Sequence, residues 1–155
     1  MRSLELNLKF AGLALMLLGI AHAFFGPRFN WKQEFERVSL LNRQIFYVHT
    51  FFIALVVTLL GVLAFFYTTV LLEPTQLARV VLCGIVIFWG CRLAAQFFVY
   101  DASLWKGDRF NTRMHILLSL LWLYLVGVFS WALWCQMKIV TEPGLHKASH
   151  SRRNR

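Results

Sequence analysis

The sequence has few charged residues for its length, and this scarcity argues against an ordinary soluble domain. Only 15% of the 155 residues are Asp, Glu, Lys or Arg, whereas soluble domains carry about 25%. Hydrophobic residues make up 59% of the chain, which is more than a soluble protein of this size can bury. Lipid, in contrast, solvates apolar side chains. The composition therefore predicts an integral membrane protein with a single domain.

Cysteine is also scarce, and familiar catalytic motifs are missing. Cys83, Cys91 and Cys135 all lie within apolar runs, and none belongs to a CxxC pair. Neither a thiol redox motif nor a thiolate zinc site is therefore predicted. The sequence contains no HExxH motif, Ser-His-Asp pattern, Gly-rich phosphate loop or nucleotide fingerprint. Hydrolase and ATPase activities have no support, and whether the protein is an enzyme stays open.

The formal net charge is +9, but the basic residues do not form a nucleic-acid-binding pattern. They lie in links and tails beside the apolar runs rather than in a stripe interleaved with exposed aromatic residues. This placement suits anionic lipid headgroups. We therefore expect membrane lipid as a partner and no nucleic acid.

Four apolar runs are long enough to cross a bilayer as helices. They predict an all-α fold, an integral membrane four-helix bundle over residues 1–138, followed by a basic, disordered tail over 139–155. Trp105 is an expected interface anchor, and Thr112 is the expected cap of the fourth helix. All three prolines lie outside the runs, and the compact size and short links favour the bacterial inner membrane. The runs cover residues 8–25, 45–72, 77–100 and 114–137.

The first run carries glycines at an interval of seven residues, at Gly12, Gly19 and Gly26. This spacing favours the close approach of a neighbouring helix. The tripeptide at residues 21–23 matches a signal-peptide cleavage pattern. Because Glu5 weakens the basic region that such a signal needs, and no soluble domain follows for export, we expect a retained span instead.

Residues 28–43 predict a short helix that lies in the membrane interface before the second span. Trp31 and Phe35 recur at helical spacing on one face, and charged residues fill the other face. Asn30 followed by Gln33 resembles a capping box. An ordinary solvated loop is the alternative interpretation.

Arg92 is the only charge deep within an apolar run, and Gln96 and Tyr100 follow it at intervals of four. On a helix these three side chains form one stripe. A cation in hydrocarbon is costly, so it faces a bundle interior, a wet cavity or a partner. Arg92 could pair with Asp101 just past the helix end, and Gln96 could form interhelical hydrogen bonds.

Consecutive spans cross the membrane in opposite directions. This alternation places several further polar side chains near the same membrane face. His22 lies near the end of the first span, His49 near the start of the second and His115 near the start of the fourth. We predict that they share a polar pocket with the Arg92 stripe. The predicted cofactor-binding residues are His22, His49, Arg92, Gln96, Tyr100 and His115.

Two classes of function fit this pocket. Imidazoles on separate helices suit axial ligation of haem, or a transition metal held by His22, His49 and His115. Arg92 would suit a haem propionate, and the same residues could hydrogen-bond a quinone or lipid headgroup without a metal. The alternative is a non-catalytic accessory or structural subunit of a larger membrane complex. A Soret band or bound metal favours the first class, and colourless protein that copurifies with partners favours the second.

The first helix carries a family resemblance. Its stretch Gly19-Ile20-Ala21-His22-Ala23-Phe24-Phe25-Gly26-Pro27, together with the number of spans, resembles small four-span membrane proteins of the DoxX-like kind. The resemblance covers one helix and implies a small helical membrane fold. It implies no particular chemistry, and the Arg92 stripe belongs to no motif that we can assign.

Overall fold

The computed structural model of the protein describes residues 2–101 and 109–141, and within these residues every regular element is a helix. Four of the helices are long and apolar enough to cross a membrane, as expected of an integral membrane protein. The predicted all-α fold, with four such helices and a short one between the first two, is confirmed. The helices are α1 (Arg2–Arg28), α2 (Trp31–Glu34), α3 (Leu40–Phe66), α4 (Thr68–Leu72), α5 (Gln76–Phe98) and α6 (Arg109–Thr141).

Helix α1 is longer than its apolar run and contains a proline. Pro27 lies in its last turn, so the prediction that every proline lies outside the helices is wrong at this position. A proline inside a helix removes one backbone donor and crowds the carbonyl of the residue four positions earlier. The amide of Phe29 still donates to the carbonyl of Phe25 at 2.9 Å, so helical hydrogen bonding continues past the proline.

The helix of the second span ends earlier than the apolar run 45–72 predicts. Helix α3 ends at Phe66, and Tyr67 separates it from α4. The buried hydroxyl of Thr68 donates to the carbonyl of Ala64 at 2.6 Å. This bond joins the first residue of α4 to the last turn of α3, across a break that hydropathy alone does not reveal.

Helix α5 begins one residue earlier and ends two residues earlier than its predicted span, and α6 extends beyond its predicted span at both ends. The hydroxyl of Thr75 accepts from the amide of Ala78 at 3.1 Å and caps α5. Helix α6 includes Thr112 within its first turns, so the predicted cap at this residue is wrong. The predicted anchor Trp105 and residues 142–155 of the predicted tail lie outside the described residues.

The chain divides into two compact units. The N-terminal unit is Leu6–Thr68, and the C-terminal unit combines Met1–Glu5 with Thr69–Arg155. In the N-terminal unit, α1 and α3 approach backbone to backbone. A Cβ atom added at Gly12 would lie 2.7 Å from the carbonyl oxygen of Gly61. The predicted close approach at glycine is therefore confirmed at this position.

A second contact fixes the direction of these two helices. A Cβ atom at Gly19 would collide with the hydroxyl of Thr58. Because positions 12 and 19 of α1 face positions 61 and 58 of α3, the two helices run antiparallel. Gly26 is different, since a Cβ atom there would meet only Trp31 at 3.5 Å, an ordinary contact distance.

Helix α2 is a single turn that packs on the start of α3 through aromatic rings. The ring centroids of Trp31 and Phe35 each lie 4.7 Å from that of Phe46, in edge-to-face geometry. Asn30 precedes the turn in a left-handed conformation with φ 49° and makes no side-chain cap. The predicted capping box with Gln33 is therefore wrong, although the short helix itself is present.

The C-terminal unit is built on the packing of α5 against α6. Trp89 of α5 stacks on Trp122 of α6 with ring centroids 5.1 Å apart. Further along, Gln96 of α5 meets His115 of α6, so these helices also run antiparallel. Both helices also carry buried apolar side chains, namely Leu82, Ile85, Leu125, Val128 and Phe129.

Candidate functional site

Gln96 is the centre of a polar cluster within the C-terminal unit. Its side chain is only 3% exposed. Within α5, Nη1 of Arg92 donates to Oε1 of Gln96 at 3.2 Å, as residues four positions apart on a helix can do. The predicted stripe of Arg92 and Gln96 therefore exists as a direct hydrogen bond.

The amide of Gln96 also joins α5 to α6. Nε1 of Trp122 donates to Oε1 of Gln96 at 3.4 Å, and the amide nitrogen of Gln96 lies 2.7 Å from Nδ1 of His115. The expected interhelical hydrogen bonding of Gln96 is thus present. Since Arg92 and Trp122 can only donate, Oε1 must face them and the NH₂ group must face His115.

This orientation of Gln96 determines the tautomer of His115. Nδ1 of His115 has to accept the amide hydrogen, so the neutral ring carries its own hydrogen on Nε2. A metal-bound imidazole offers the lone pair of one ring nitrogen to the metal, and in His115 the Nδ1 lone pair is already used by the Gln96 amide. The hydrogen bond from Gln96 would have to break before His115 could ligate a metal.

Arg92 lies against two aromatic rings. Its guanidinium carbon is 4.9 Å from the ring centroid of Trp122 and 5.6 Å from that of Tyr100, within the range of cation–π attraction. Among the described residues Arg92 makes no ion pair, so the expected pairing with Asp101 is not present. The rings and one amide oxygen hold the positive charge without neutralising it.

Trp122 is the member of this cluster that the sequence interpretation missed. It lies seven residues after His115, on the same face of α6, and this spacing was the available signal. Its partner in the stack, Trp89, is 1% exposed. In the part of the chain that the structure describes, the indole N–H of Trp89 has no hydrogen-bond partner. A buried donor is thus present three residues before Arg92.

The other two predicted histidines belong to the N-terminal unit. Nδ1 of His22 lies 2.7 Å from the carbonyl oxygen of Leu18, and Nδ1 of His49 lies 2.9 Å from that of Ile45. A carbonyl only accepts, so Nδ1 donates and Nε2 carries the lone pair in both neutral rings. His22 is half-buried, whereas His49 is exposed.

The histidines do not form a ligand cluster in the described residues. No group of three or more His, Cys, Asp and Glu side chains placed to hold a metal ion occurs in residues 2–101 and 109–141. The metal site at His22, His49 and His115 therefore stays a prediction without structural support.

His22 lines a cleft between α1, α2 and the first half of α3. The cleft is open to one side and has a volume of about 360 Å³. Most of its wall is apolar, and His49 is not part of it. The lining residues are Gly19, His22, Ala23, Gly26, Pro27, Trp31, Tyr47, Thr50, Phe51 and Ala54.

Comparisons with protein-family models, with curated proteins and with solved structures find no match for this chain. The resemblance of the first helix to DoxX-like proteins therefore stays a prediction. The function has to be inferred from the side chains themselves.

Proposed function

We propose that this integral membrane protein binds an anionic headgroup through Arg92, in the bacterial inner membrane. The observation that carries the proposal is an intramembrane guanidinium without an ion pair among the described residues. A charged arginine in a span costs about 2.5–3.5 kcal/mol on insertion scales. A phosphate or carboxylate at this position would offset that cost.

The position of Arg92 on α5 suits a headgroup. It lies six residues before the helix end at Phe98, which is about 9 Å along the axis. A long arginine side chain can reach toward the interface from this depth. The rings of Tyr100 and Trp122 keep the guanidinium oriented, and only one of its N–H groups is used by Gln96. The remaining donors match the two oxygens of a phosphate or carboxylate.

The test is lipid binding by the purified full chain in detergent, followed by native mass spectrometry. Phosphatidylglycerol and phosphatidylcholine with identical acyl chains serve as the two probes. We expect wild type to prefer phosphatidylglycerol, and Arg92→Leu to lower that preference about tenfold, the worth of one charge-assisted hydrogen bond. Arg79→Leu removes a cation from the same helix and is the matched control, which should leave the preference unchanged.

The alternatives give different results. A Soret band in the purified protein would identify the anionic group as a haem propionate. If Arg92→Leu leaves the lipid preference intact but loses a protein that copurifies with wild type, the accessory-subunit function replaces headgroup binding. Equal loss of lipid preference in Arg92→Leu and Arg79→Leu would show a nonspecific charge effect and overturn the proposal.

A further inference from the structure

The cleft of the N-terminal unit combines an apolar, aromatic wall with His22, whose Nε2 has no hydrogen-bond partner among the described residues. Trp31, Tyr47 and Phe51 contribute rings to its lining. Its volume of about 360 Å³ falls within the range of small-molecule sites. These features are independent of the Arg92 cluster, which belongs to the other unit.

The hydrogen bond between His22 and Leu18 sets the polarity of the cleft. Because Nδ1 of His22 donates to the Leu18 carbonyl at 2.7 Å, Nε2 of the neutral ring can only accept. Nε2 has no partner among the described residues. A ligand that fits this atom has to bring a donor, as a hydroxyl group does and a ketone or ether does not.

A second side chain in the cleft has the same polarity. The hydroxyl of Thr50 donates to the carbonyl of Phe46 at 2.9 Å, so its oxygen is left to accept. Tyr47 can donate or accept. The polar groups of the lining are therefore biased toward acceptors, while the surrounding rings favour an aromatic ligand that can stack or pack edge to face.

The cleft also lies toward the end of one candidate span and the start of the next. Its lining comes from the last ten residues of α1 and the first half of α3, which are the ends of two candidate spans. An aromatic residue such as Trp31 at a span end is typical of the membrane–water interface. A ligand here could place its ring in the cleft and its tail in the lipid.

We propose that this cleft binds a membrane-dissolved amphiphile with a hydroxylated aromatic headgroup, the chemistry of a quinol or an alkylphenol. The hydroxyl donates to Nε2 of His22, and the ring packs among Trp31, Tyr47 and Phe51. A headgroup that carries only acceptors, such as a quinone or a methyl ether, binds more weakly because it leaves Nε2 unsatisfied.

The experiment compares 4-nonylphenol with its methyl ether, 4-nonylanisole, on the full chain in detergent by native mass spectrometry. The two probes share ring and tail and differ in the donor. We expect wild type to prefer the phenol about fivefold, which corresponds to one net hydrogen bond. His22→Leu should abolish this preference, and His22→Gln should retain most of it because the amide oxygen accepts.

His49→Leu is the matched control, because His49 makes the same bond to the carbonyl four residues earlier and lies outside the cleft. This variant should keep the wild-type preference. Equal binding of the phenol and the ether by wild type would overturn the proposal. Because this comparison needs no variant, the proposal can be tested even if the His22 variants fail to fold. Equal loss of preference in His22→Leu and His49→Leu would overturn it as well.

Discussion

The amide nitrogen of Gln96 lies 2.7 Å from Nδ1 of His115, and this hydrogen bond links α5 to α6 inside an apolar contact. The same amide accepts from Arg92 and Trp122 through its oxygen. One buried side chain thus satisfies three polar groups from two helices. Removal of the amide leaves all three without this partner, so its effect on stability should exceed that of an ordinary surface glutamine.

We predict that Gln96→Leu destabilises the protein by about 1–3 kcal/mol, the cost of leaving buried polar groups unsatisfied. The reversible unfolding of the full chain in mixed detergent micelles measures this value. Gln76→Leu is the control, because Gln76 begins the same helix and is exposed. Comparable stability of the two variants would show that the Gln96 network contributes little.

Trp122 should be more sensitive to loss of its ring than to loss of its N–H group. Trp122→Phe removes a long hydrogen bond of 3.4 Å to Gln96 and should cost about 0.5–1 kcal/mol. Trp122→Leu also removes the cation–π contact with Arg92 and the stack on Trp89, and should cost about 2–4 kcal/mol. The same unfolding assay measures which of the two substitutions lowers the free energy of unfolding more.

The control for these variants is Trp131→Leu, because Trp131 is on the same helix and 41% exposed. This substitution should change stability by less than either Trp122 variant. If Trp122→Phe is as destabilising as Trp122→Leu, the hydrogen bond rather than the ring holds the α5–α6 contact.

Glycine substitutions should change stability in opposite directions in different helices. A Cβ atom at Gly12 would lie 2.6 Å from the backbone nitrogen of Phe65, so Gly12→Ala forces the helices apart and should cost about 1–3 kcal/mol. A Cβ atom at Gly84 of α5 meets nothing within 4 Å. Gly84→Ala should be neutral or stabilising, because alanine favours a helix by about 1 kcal/mol over glycine.

Thermal unfolding of the two glycine variants in the same detergent measures this contrast. Gly61→Ala should behave like Gly12→Ala, since a Cβ atom there would lie 2.8 Å from the carbonyl oxygen of Gly12. A stabilising effect of Gly12→Ala would contradict the close α1–α3 contact.

The four candidate spans predict which residues lie on each side of the membrane. Single cysteines at Ser3 and Thr75, in a background without the native cysteines, should react with an impermeant maleimide from one side. A cysteine at Glu34 should react from the other side, because α1 separates it from Ser3 and α3 separates it from Thr75. Labelling of positions 34 and 75 from the same side would refute four spans.

The number and type of the long helices could be predicted from hydropathy alone. Runs of apolar residues of sufficient length can satisfy their backbone groups in lipid only as helices, so hydropathy located all four candidate spans. It also placed Arg92 and Gln96 on one stripe, because residues four apart share a helix face whatever the helix packs against. Close packing at Gly12 could also be predicted, because the interval of seven residues between glycines is visible in the sequence and favours the approach of a neighbouring helix.

Which side chains meet between helices, and in which role, depends on packing and could not be predicted from the sequence. The neighbour that orients the Gln96 amide, Trp122, lies 26 residues away on another helix, and sequence spacing does not encode such a contact. The tautomer of His115 depends on the Gln96 amide, which α5 places against Nδ1 from another helix. The tautomer of His22, in contrast, is set within α1 by the carbonyl four residues earlier. The donor and acceptor roles of an interhelical hydrogen bond depend on a partner that only packing supplies.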